Sequence, residues 1–82
     1  FNDAGYRLMG NNQVKEAVYI FGLVTKLYPQ SANAWDSFAE ANWKAGNKEK
    51  AIEYYNKAIS LDPNGETGNN ARRMLEEMKK SN

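Results

Sequence analysis

Along the chain, apolar residues return at helical spacing and pause at two prolines. Ala51, Ile52, Tyr55, Ala58 and Ile59 fall at i, i+1, i+4, i+7 and i+8, one face of a helix. Ala17, Ile20, Phe21, Val24 and Leu27 draw the same stripe earlier in the chain. Pro29 and Pro63 end these two helices, because proline cannot continue a helix and restricts the residue before it. Gly46 suits the left-handed conformation that closes a helix, and Asn47 is placed to cap the next one. Asn12 is expected to do the work of Gly46 earlier, and Ser31 to cap the helix that follows Pro29. The pattern predicts helices near residues 2–10, 14–27, 32–45 and 48–61.

A fifth helix follows. Ala71, Met74, Leu75 and Met78 form a narrow apolar stripe. Outside it, Arg72 with Glu76, Arg73 with Glu77 and Glu76 with Lys80 are spaced for i,i+4 ion pairs facing water. The preceding NGETGNN reads as a loop, and Gly65 and Gly68 place the helix start no earlier than Gly68.

The apolar positions also recur at longer range. Phe1 matches Trp35, Gly5 matches Ala39, Ala17 matches Ala51, Phe21 matches Tyr55, and Pro29 matches Pro63, each pair 34 residues apart. The second copy reads Trp35, Phe38, Ala39, Asn42, Ala51, Tyr55, Pro63. The first reads Phe1, Ala4, Gly5, Leu8, Ala17, Phe21, Pro29. This order resembles the tetratricopeptide repeat, a helix–turn–helix unit with small residues where helices touch and aromatics between them. Ala39 stands where the family has Gly and Asn42 where it has Tyr, so Trp43 is expected to supply the missing aromatic bulk. The resemblance implies an all-α fold, a short right-handed α-solenoid of two helix-turn-helix repeats and a C-terminal capping helix. It divides the single domain 1–82 into repeat one (1–30), repeat two (31–64), and a loop with its capping helix (65–82). A beginning at Phe1 rather than Met suggests a piece of a longer chain.

Composition narrows the function. Eleven basic and ten acidic residues give a net charge of +1, far from the basicity of a nucleic-acid binder. No apolar run approaches the ~20 residues of a membrane span. The compartment is undetermined, since a chain without Cys carries no redox signature. Without His or Cys, the commonest general base, metal ligand and nucleophile are missing, so no catalytic residue, cofactor or metal is assigned. Asp36 and Glu40 lie one turn apart, but an exposed pair has no reason to shift its pKa. NGETG lacks the Lys-Ser/Thr of a phosphate loop, and Asp62, Asn64 and Glu66 lack the Gly and Glu positions of a calcium loop.

What remains is binding. The family resemblance implies a concave groove lined by the first helix of each repeat: Asn2, Tyr6 and Met9 from repeat one, and Asn33, Asp36, Glu40, Trp43 and Lys44 from repeat two. The expected partner is a protein or peptide, neutral or basic because Asp36 and Glu40 repel a carboxylate. It could be an upstream domain of the same protein or a second copy. GYRLM, EAVYIF, YPQSANAWDS and EANWKAGNKEKAIEYY also resemble the short tetratricopeptide tail of bacterial serine hydrolases related to beta-lactamases and esterases. That resemblance implies a structural accessory tail with no ligand of its own.

Overall fold

The computed structural model describes residues 14–81, which form four α-helices: α1 (Val14–Leu27), α2 (Ala32–Lys44), α3 (Lys48–Leu61) and α4 (Glu66–Ser81). The helix expected at 2–10 lies outside the described residues. Each helix packs on the next, and α4 also reaches back to α2. The described residues therefore form an all-α helical repeat arrangement. Within it α2 is the central helix, with Ala34, Asp36, Ser37, Ala39, Ala41 and Asn42 all buried.

Local chemistry sets the helix ends. The Tyr28 N–H donates to the Val24 carbonyl, and Pro29 follows at once. Ser31 caps α2 as expected, its hydroxyl accepting the Ala34 N–H at 3.2 Å. Gly46 has φ 89°, and its neighbour Asn47 donates its N–H to the Asn42 carbonyl at 2.8 Å, a left-handed helix stop. Asn47 does stand at the start of α3, but its side chain makes no capping bond. Its amide donates to the Asn42 side-chain oxygen instead, at 3.3 Å. Asn42, itself buried, also donates to the Phe38 carbonyl at 2.8 Å. Asn42 thus takes an inward place itself, as a polar clasp on the α2–α3 turn. Trp43, one residue on, sits half-buried and packs against the neighbouring core.

Two apolar clusters hold the layers together. Ala17, Phe21 and Ala41 join α1 to α2, with Val18 and Phe38 beside them. Ala39, Ala51, Tyr55, Ala58, Ala71 and Met78 join α2, α3 and α4. Ala17 and Ala51 are both fully buried, and Phe21 and Tyr55 fill the space one turn on, so the 34-residue match holds in three dimensions. Burying each aromatic contributes about 1.5–3 kcal/mol. The stripes are narrower than the sequence suggests, however. Ile52 and Leu27 turn outward, exposed by 37% and 61%, because the neighbouring helices cover only part of each apolar arc.

Helix α4 corrects the expected loop. It begins at Glu66 and runs through Gly68, because Asp62 reaches over its first turn. The Asp62 carboxylate accepts the Gly68 N–H at 3.3 Å, a negative charge at a helix N-terminus. The helix start also packs so closely on the preceding chain that a Cβ at residue 68 would collide with the Asp62 carbonyl. Gly68 is the condition for this close approach, not a helix breaker. Arg72 donates to the Pro63 carbonyl and to the Asn69 side chain rather than pairing with Glu76, which takes Lys79 at 3.8 Å. Ala71 and Met78 are buried and Met74 and Leu75 half-buried, as their spacing predicts.

The same 34-residue register carries into α4. Gly68 and Ala71 are buried as Ala34 and Ser37 are. On its other side Asn69, Arg72, Arg73 and Glu76 are exposed, where α2 has Trp35, Phe38, Ala39 and Asn42 turned inward. Helix α4 thus has the inner face of a repeat's first helix and a polar outer face, which suits the last position of an array.

The two helical glycines among the described residues, Gly22 and Gly68, are expected to differ on substitution. Gly22→Ala meets only the Phe38 ring at 3.4 Å, so it raises stability through helix propensity by about 0.5–1 kcal/mol. Gly68→Ala forces α4 off Asp62 and lowers stability by about 1–3 kcal/mol. Urea unfolding of both variants checks this, and equal effects of the two would contradict the packing of α4 on Asp62.

Candidate interaction surface

Asn33, Asp36, Glu40, Trp43 and Lys44 share one face of α2, spaced at i, i+3, i+7, i+10 and i+11. Their environments differ. Asn33 and Lys44 are exposed, while Glu40 and Trp43 are half-buried. Lys44 reaches back to Glu40 at 3.8 Å, an ion pair with side chains 52% and 31% exposed, worth about 0.2–1 kcal/mol at most. Asn2, Tyr6 and Met9 lie outside the described residues, so no geometry joins them to this face.

Asp36 departs from the expectation of an exposed carboxylate. It is 8% exposed, and the Asn70 side-chain amide of α4 donates to both its oxygens at 3.2 and 3.3 Å. Burial pushes its carboxyl above the ordinary value; the Asn70 hydrogen bond opposes this and the Glu40 charge adds to it. Because Asp36 is occupied in holding α4 to α2, Glu40 is the carboxylate that the face presents. Asn70 lies 34 residues after Asp36, so the same repeat register places it on the matching face of α4. Running the repeat a third time along the sequence would have found it.

The remaining aromatics of repeat two serve a different contact. Phe38 and Tyr54 stack across α2 and α3 with centroids 4.4 Å apart, and Trp35 lies tilted 5.6 Å from Tyr54. The Trp35 indole N–H donates to the Pro29 carbonyl at 2.9 Å, tying the α1–α2 connection to this cluster. Tyr54 has its phenol pKa raised by burial, with Glu53 adding to the effect. These rings join helices; among the described aromatics of the predicted set, Trp43 is the one on the α2 face under consideration. Among the described residues no group of three or more His, Cys, Asp and Glu side chains could hold a metal ion, and no helix is long and apolar enough to cross a membrane.

Residues 32–64 match the model of the tetratricopeptide repeat. They span α2, the Gly46 stop, α3 and Pro63. No curated protein matches the chain. Tetratricopeptide repeats generally mediate protein–protein interaction, and the all-helical repeat fold is typically non-catalytic.

Asp36 gives a pH test of this surface. Its folded carboxyl is raised above the ordinary 3.8, so the folded state holds the proton more tightly than the unfolded one. The resulting stability is fully present below the unfolded pKa and is lost as pH rises through the folded one. Asp36→Asn keeps an amide for Asn70 and removes this titration. The variant's melting temperature should therefore gain on the wild type as pH rises from 3.8 to neutrality. A difference that stays constant with pH would mean Asp36 is not desolvated.

Proposed function

We propose that this chain is a protein–protein interaction or scaffolding module, with no chemistry of its own. In this reading the α2 face, continued by Asn2, Tyr6 and Met9 of repeat one, is a concave groove for a peptide or partner domain. The observation that carries the reading is Trp43, a large ring spaced on the same face of α2 as Glu40 and Lys44 and only partly covered by the core it packs against, while Trp35, Phe38 and Tyr54 are engaged with one another. Trp is among the residues that most often anchor an interface once a partner covers it. Glu40 favours a neutral or basic segment, since Asp36 is already held by Asn70. The division into repeat one (1–30), repeat two (31–64) and a capping segment (65–82) belongs to the same reading.

Titrating a peptide library against the 82-residue chain tests it. Basic or neutral peptides should bind, and Trp43→Ala should weaken them by roughly tenfold or more, as loss of an interface anchor does. Binding that survives Trp43→Ala while the fold loses several kcal/mol would make Trp43 a core residue and remove the groove. A library without any binder would favour the rival, an accessory tail of a serine hydrolase with no independent ligand.

A further inference from the structure

A second surface lies apart from the α2 face and shares none of its residues. Between α3 and α4 an open cavity of about 950 Å³ is lined by Lys48, Ile52, Arg72, Leu75, Met78 and Lys79, among others. Its floor is apolar: Ile52 is 37% exposed, and Leu75 is only half-buried. The rim carries three cations, Lys48, Arg72 and Lys79, against Glu76, which already sits 3.8 Å from Lys79. Arg72 is held by Pro63 and Asn69, yet a guanidinium has five N–H donors and keeps its full charge.

The molecule contains a worked comparison for this cleft. One 34-residue register earlier, Ile52 corresponds to Val18 and Arg72 to Phe38. That earlier cleft, between α1 and α2, receives Tyr54 from the next helix, stacked on Phe38 at 4.4 Å. The α3–α4 cleft repeats the arrangement with no described helix entering it, and with Arg in place of Phe. It keeps an apolar floor for a helix but has exchanged an aromatic wall for positive charge.

We propose that the α3–α4 cleft docks an amphipathic helix of a partner protein, its apolar stripe on Ile52 and Leu75 and its flanking carboxylates toward Lys48, Arg72 and Lys79. The helix-in-groove mode needs such an apolar stripe, and the rim selects the charge beside it. A second copy fits this requirement poorly. The exposed stripe of α1, Tyr19, Leu23 and Leu27, carries Lys15 and Lys26 beside it against the single carboxylate of Glu16, and would bring a net positive charge to a cationic rim.

The probe is a fluorescein-labelled synthetic helical peptide with leucines at i, i+3 and i+7 and glutamates flanking them. A twin peptide carries lysines in place of the glutamates. Fluorescence anisotropy with the 82-residue chain should show saturable binding of the acidic peptide, at least about tenfold tighter than its basic twin. Raising salt from 0.1 to 1 M, where the Debye length falls from about 10 to about 3 Å, should narrow that gap. Amide chemical-shift changes should cluster at Ile52, Leu75 and Lys79. The double variant Lys48→Glu with Lys79→Glu should reverse the preference while circular dichroism stays unchanged. Equal binding of the two peptides, or binding of neither, overturns the proposal. So do shift changes centred on Glu40 and Trp43, or a sedimentation profile showing a dimer that Ile52→Glu abolishes. Because the two surfaces share no residue, failure here leaves the reading of the α2 face standing, and the reverse also holds.

Discussion

The close approach of helices at alanine is the constraint on which the rest of this structure depends. Ala17, Ala39, Ala51, Ala58 and Ala71 are fully buried, spread over all four helices. A larger side chain at any of these crossings would push the backbones apart, and the interior has no slack to absorb it. Where the alanines bring helices together, Phe21 and Tyr55 fill the diverging space one turn later. The alternation of small and large along one helix face therefore sets both the distance between helices and their order in the stack. A chain of this size has a thin core, and this repeated contact is what supplies it.

From that constraint follows the role of the last helix. Its Gly68 and Ala71 continue the small-residue rule against the preceding repeat, and Met78 closes the cluster. Its outer side abandons the rule, offering Arg72, Arg73 and Glu76 to water. The polar outer side of α4 leaves little apolar surface to water over most of its length. At the α3–α4 cleft the cover is incomplete, since Ile52 remains partly exposed.

The aromatic residues divide by the same logic. Trp35, Phe38 and Tyr54 lie where α2 meets α3 and act as mortar between them, with Lys57 placed 5.9 Å over the Trp35 ring. Trp43, one turn after Ala39, is half-buried against the same core cluster as Trp35 and Tyr54, and Asn42 beside it is committed to the turn. Regular spacing of aromatics is thus mainly a property of the fold.

Spacing along the chain determined the helices Val14–Leu27 and Lys48–Leu61, the Ser31 cap, the Gly46 stop and the inward alanines, because each depends on residues within one or two turns. That Asn33, Asp36, Glu40, Trp43 and Lys44 share one face of α2 was legible for the same reason. Only the tertiary structure decided that Asp36 is buried, since that depends on Asn70, 34 residues away on another helix. It alone showed Asn47 turned from its cap toward Asn42. The start of α4 at Glu66 was likewise hidden, because the group that satisfies its first turn is the Asp62 carboxylate before the helix, six residues from the Gly68 N–H that it accepts. Local periodicity sets which residues are helical. Burial, distant caps and close backbone contacts are set by which helix lies alongside.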